Sequence, residues 1–87
     1  IQLSGKYADP HVFYGESMLR RGGISEAIDA FRRANQIKPT PYGLSGLSEA
    51  LIMAQDKEGA IKAARQAVSV MPNSAKAHVA LTRALLA

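Results

Sequence analysis

The chain has no cysteine and no tryptophan among its 87 residues. Without cysteine there can be no disulfide, no thiolate zinc site and no cysteine nucleophile. No apolar run approaches the roughly 18 residues that a membrane-crossing helix needs. The first residues do not combine a basic segment, an apolar stretch and a small-residue cleavage site, so no signal peptide is visible. Acidic residues are few, seven against eleven Lys and Arg, which leaves a formal charge of +4. The cations are dispersed, and the closest clusters are the pairs Arg20-Arg21 and Arg32-Arg33. Dispersal of this kind fits solvated helix faces better than a nucleic-acid or membrane patch.

Proline occurs four times, and its positions are informative. Asp9-Pro10 and Thr40-Pro41 each place a good N-cap beside a residue tolerated in the first helical turn. Asn73-Ser74 and Asp56 offer two further caps. Pro39 and Pro72 forbid continuation of a helix, and Gly22-Gly23 supplies the backbone freedom to leave one. Between these marks, apolar residues recur every three or four positions. The spacing predicts helices near 9–21, 24–37, 41–54, 57–70 and 74–86, with no stretch of strand alternation. An apolar content of 47% with 21% charged residues suits one small folded all-α unit.

The segments repeat. Ala27, Phe31, Ala34, Ile37 and Pro39 recur, in the same order and at the same spacing, as Ala60, Ala64, Ala67, Val70 and Pro72. Tyr14, Gly15 and Met18 recur over the same interval as Leu47, Ser48 and Leu51, then a third time as Leu81, Thr82 and Leu85. Two helices joined by a short turn approach closely only where side chains are small. Gly15 is therefore expected to face Ala27, and Ser48 to face Ala60. One pair cannot bury both of its faces, so neighbouring pairs must stack. Phe31 is the best core candidate and Tyr14 the next. Leu3 and Gly5 align with the ends of the later repeats, so the start reads as the last turn of a preceding helix. The chain as a whole reads as a piece of a longer repeat array.

This pattern resembles the tetratricopeptide repeat (TPR) family: pairs of about 34 residues with a small residue in the first helix, Ala-x3-aromatic-x2-Ala in the second, and a closing Pro. The resemblance implies antiparallel helix pairs stacked as a right-handed superhelix, an alpha-alpha solenoid. It divides the chain into the end of a preceding repeat with its linker (1–7), one repeat at 8–40, one at 41–74, and a further first helix at 75–87. The second repeat departs from the pattern at Ser48, Gly59 and Ala64. His11, Leu44 and His78 stand where the family often has Trp, which implies looser packing there. A narrower resemblance, carried by "IQL", "LRRGG", "EAIDAFRRA", "IKP" and "GLSEA", is to the TPR scaffold subunits of a multi-subunit ubiquitin ligase, the anaphase-promoting complex. That narrower resemblance implies a eukaryotic, largely nuclear protein; the location expected for the chain is intracellular, in nucleus or cytoplasm.

By the family pattern the first helix of each pair lines a concave, partner-binding side. That side would carry Asp9, Val12, Phe13, Glu16, Leu19 and Arg20 from the first such helix. Tyr42, Ser45, Glu49, Ile52 and Met53 would come from the second, and Lys76, Val79 and Arg83 from the third. Both charge signs with aromatic anchors suit an extended peptide or a partner helix. A chaperone-tail clamp does not fit, because of its basic positions only Lys76 is matched and Glu16 would repel a carboxylate.

Catalytic groups would have to converge. His11 and His78 lie at equivalent repeat positions on the packing face and lack metal-ligand spacing, so each reads as a packing or partly exposed histidine. Gly22-Gly23 follows no strand and is a turn rather than a phosphate loop. The expectation is a non-enzyme with no cofactor, whose partners are other proteins. Nucleic acid is the less favoured partner, because no base-reading residue type recurs from repeat to repeat. Leu85 and Leu86 make self-association compatible with this reading.

Overall fold

The structure, a computed structural model, describes residues 10–87. Five helices account for most of it: α1 (Pro10–Arg21), α2 (Ile24–Ile37), α3 (Pro41–Met53), α4 (Lys57–Val70) and α5 (Ala75–Leu86). Among the described residues there is no strand, and no helix is long and apolar enough to cross a membrane. The expected end of a preceding helix at 1–7, and the Asp9 cap, lie outside the described residues.

Local chemistry sets the helix limits. Thr40 Oγ1 accepts from the Gly43 N–H at 3.1 Å, Asp56 Oδ1 from the Gly59 N–H at 3.0 Å, and Ser74 Oγ from the Ala77 N–H at 3.2 Å. Each satisfies a donor that the first helical turn leaves unpaired. α2 and α4 end at Lys38, which is extended, and at Met71, and both leave the helical region before a proline. α1 ends at Gly22, whose φ is +84°. There the Gly23 N–H reaches back to Met18 C=O and the Gly22 N–H to Leu19 C=O, a Schellman closure. α3 ends the same way at Gln55, the one non-glycine residue described with positive φ, +66°. The Asp56 N–H bonds Leu51 C=O and the Gln55 N–H bonds Ile52 C=O. Gln55 follows Gly22 at the same interval as Ala60 follows Ala27, so the turn repeats even where its glycine does not.

Sequence neighbours pack against each other, and α3 touches all four other helices. α1 meets α3 and α3 meets α5, which sets the odd-numbered helices side by side. The shortest dimension, 19 Å against 38 and 29 Å, has room for two helix layers at the usual spacing of about 8–10 Å. Of the buried apolar residues described, eleven are alanine and only Val12, Phe31, Leu44 and Leu51 are larger. The core is therefore close backbone approach more than side-chain bulk. Phe31, Ala27, Ala34, Val12 and Ala50 form one cluster, Leu51 with Ala60, Ala64, Ala80 and Ala84 a second, and Leu44 with Ala67 and Ala77 a third.

Three expectations need correction. Tyr14 is 50% exposed, not a core residue. Its counterpart Leu47 packs against two core clusters because α3 has neighbours on both sides, whereas among the described helices α1 packs mainly on α2 and α3. Leu44 is buried and in contact with its cluster rather than loosely packed. His78 is exposed, off the packing face, and its Nε2 lies 2.6 Å from the Pro72 carbonyl oxygen. His11 is half-buried.

Candidate functional site

The side-by-side odd helices leave a hollow of about 300 Å³ between them. Its floor is made of small residues: Ser45, Gly46 and Ser48 of α3 and Ala80 of α5, with the Phe31 ring of α2 reaching up from the core. Phe31 itself requires this floor. A Cβ at Gly46 would run into its ring, and one at Gly15 would come within 2.8 Å of it. Gly15 thus lies nearest to Phe31, while Ala27, its expected partner, is buried in the same cluster.

Both serines of the floor turn their hydroxyls inward. Ser48 Oγ donates to Ala60 C=O at 2.9 Å, which holds α3 against α4 at the expected crossing. Ser45 Oγ donates to Lys76 C=O at 3.5 Å, tying α3 to the first turn of α5. Leu19, Ile52 and Val79 give the hollow apolar walls. Its rim is charged, with Glu16 and Arg20 from α1, Glu49 from α3, and Lys76 and Arg83 from α5. Arg83 Nη1 lies 3.7 Å from Glu49 Oε1, and both side chains are about half exposed or more. Exposed pairs of this kind contribute only about 0–1 kcal/mol, so they yield readily to a ligand group. The Lys76 ammonium lies 5.8 Å from the Tyr42 ring centroid, within cation–π reach.

A second, more open hollow of about 430 Å³ adjoins the first and shares Glu49, Ile52 and Arg83 with it. Met53, Leu86 and Ala87 complete it. Leu86 is 80% exposed.

Nine residues were expected on the partner-binding side. Glu16, Arg20, Glu49, Lys76 and Arg83 are brought together on the first hollow, and Met53 on the second. Tyr42 is half-buried against the core beneath Lys76. Phe13 is half-exposed on α1 and is not part of either lining. Asp9 lies outside the described residues. Val12, also expected on that side, is instead buried in the core. Of the floor, sequence reasoning placed only Ser45 on this side and missed Gly46, Ser48 and Ala80. The floor's signal was Gly46, a glycine in mid-helix where no turn needs one and where it costs about 1 kcal/mol of helix propensity.

Chemically, the lining offers apolar walls with donors and acceptors at the rim. Among the described residues no three His, Asp or Glu side chains gather where they could hold a metal ion. Comparisons with family models, with curated proteins and with solved structures return no match to the chain.

Proposed function

We propose that the chain is a non-catalytic protein-interaction scaffold that holds a peptide segment or partner helix in the hollow between α1, α3 and α5. In this reading the helix pairs are TPR repeats, stacked as part of a right-handed superhelix. The protein works inside the cell, in nucleus or cytoplasm, within a multi-subunit assembly such as the anaphase-promoting complex ubiquitin ligase.

The observation that carries the proposal is a concavity with a small-residue floor, lined by three successive first helices and rimmed by both charge signs. Turn chemistry repeated one interval apart, at Gly22 and Gln55, adds support for a repeat architecture. Nucleic-acid binding through the net positive charge is the rival, and Glu16 and Glu49 on the rim weigh against it.

Selection from a displayed library of random linear peptides tests the reading. The expected result is a set of binders that lose at least tenfold in affinity on Val79→Asp or Arg83→Glu. Both side chains are about half exposed or more, so neither change should unfold the chain. Binders indifferent to both changes would overturn the proposal. So would a single-stranded oligonucleotide that outcompetes every selected peptide.

A further inference from the structure

The two hollows form one groove whose ends differ in chemistry. Shared contacts climb together along α3 and α5: Tyr42 beneath Lys76, then Glu49 beside Arg83, then Met53 in one lining with Leu86. α3 and α5 therefore run parallel, and their N-terminal ends lie at the same end of the groove. That end carries the Lys76 ammonium over an aromatic ring, and two helix N-termini add partial positive charge to it. At the other end Met53 and Leu86 present half-exposed or exposed apolar side chains, and the C-terminus of α3 disfavours an anion there. In the middle, the Glu49–Arg83 pair is already self-compensated.

We infer that the occupant of the groove is a peptide segment with carboxylate side chains at one end and large aliphatic side chains at the other, seated with its acidic end at Lys76 and its aliphatic end at Met53 and Leu86. The inference rests on the proposed peptide-binding role and adds the partner's chemistry and orientation. From Tyr42 to Met53 the groove runs about 16 Å at about 1.5 Å per helical residue. An extended chain covers that distance in roughly five residues at about 3.3 Å each. Arg83 lies about two helical turns from Lys76 along α5 and is paired with Glu49, and Arg20 shares the rim of the first hollow with Glu16, so neither adds to the Lys76 end.

A probe peptide, two aspartates and two leucines separated by a Ser-Gly-Ser spacer, tests this by heteronuclear NMR titration of the isotope-labelled chain. A spin label on the acidic end should broaden the amides around Tyr42 and Lys76, and one on the leucine end those around Met53 and Leu86. Replacing the aspartates by lysines should weaken binding at least tenfold, and Lys76→Glu or Met53→Asp should each weaken it about fivefold or more. Reversed broadening, equal binding of the lysine peptide, or indifference to Lys76→Glu would overturn the inference. Mutual broadening between two differently labelled copies of the chain, with no effect of peptide, would assign the groove to self-association and overturn it as well. Where library-selected peptides still depend on Val79 and Arg83, only the polarity fails; where none does, the groove itself fails.

Discussion

Where α1 crosses α2, a single aromatic ring fills the gap; where α3 crosses α4, alanines and one serine hydrogen bond close it. Phe31 is fully buried, with glycine facing it from α1 and from α3. Its counterpart Ala64 is equally buried, but there Ser48 replaces glycine and donates to the Ala60 carbonyl. The two pairs share a skeleton and the backbone closure between their helices, and differ in how volume is apportioned across the crossing and in the start of the second helix, where Asp56 caps α4 and Gly23 offers α2 no side-chain cap. A large wedge demands bare backbone on both sides, while small residues allow a side-chain hydroxyl in the interface. Because Gly46 belongs to the second pair yet accommodates a ring of the first, the pairs are fitted to each other. The same fit creates the small-residue floor of the hollow, so packing and candidate function share one cause.

The comparison breaks most directly at Phe31. Phe31→Ala should cost about 3–5 kcal/mol, as large-to-small core changes to alanine do when the neighbours relax only partly. That is a large fraction of the roughly 5–15 kcal/mol that small domains have in total. Urea denaturation followed by circular dichroism would measure it. A loss less than half as large would mean that the first crossing collapses onto itself, and that the ring is not what separates the two pairs.

Gly46→Ala sharpens the same contrast with a smaller effect. Alanine would gain about 1 kcal/mol of helix propensity, but its methyl would meet the Phe31 ring, and overpacking of this kind costs about 1–3 kcal/mol. The expected net is a loss of up to about 2 kcal/mol. In a Phe31→Ala background the clash is gone, and the same substitution should stabilise by up to about 1 kcal/mol. A double-mutant cycle reads that change of sign. Additive behaviour would show that Gly46 is not there to admit the ring.

Helix limits were legible because proline, glycine and the cap residues act through their own backbone. Thr40, Asp56 and Ser74 cap where the sequence places them. Burial was legible only where a residue's surroundings recur in every repeat. Phe31 could be read as core, whereas Tyr14 could not be read as exposed, because its exposure depends on how many helices flank α1. The rim of the hollow followed from repeat register, since Glu16, Glu49 and Arg83 occupy one layer. Its floor did not, because Gly46 and Ala80 carry no chemistry of their own and matter through what they leave empty. Gln55 was the least legible residue. Nothing in glutamine announces a left-handed turn, and only its alignment with Gly22 could have marked it.

Gln55 also carries the gentlest test of how alike the two pairs are. The left-handed conformation costs a residue with a Cβ about 1–2 kcal/mol, a term absent at Gly22. Glycine brings back an unfolded-state entropy penalty of about 0.4–1 kcal/mol. Gln55→Gly should therefore stabilise the chain by about 0.5–1 kcal/mol. For a chain of this size that raises Tm by a few degrees, measurable by calorimetry. Gly22→Gln should lower it by a similar amount, since Gly22 and Gln55 close their helices with the same pair of backbone hydrogen bonds. If Gln55→Gly left Tm unchanged while Gly22→Gln lowered it, the glutamine side chain would have to contribute about as much as its backbone strain costs. The second pair would then differ from the first at its turn as well as at its crossing.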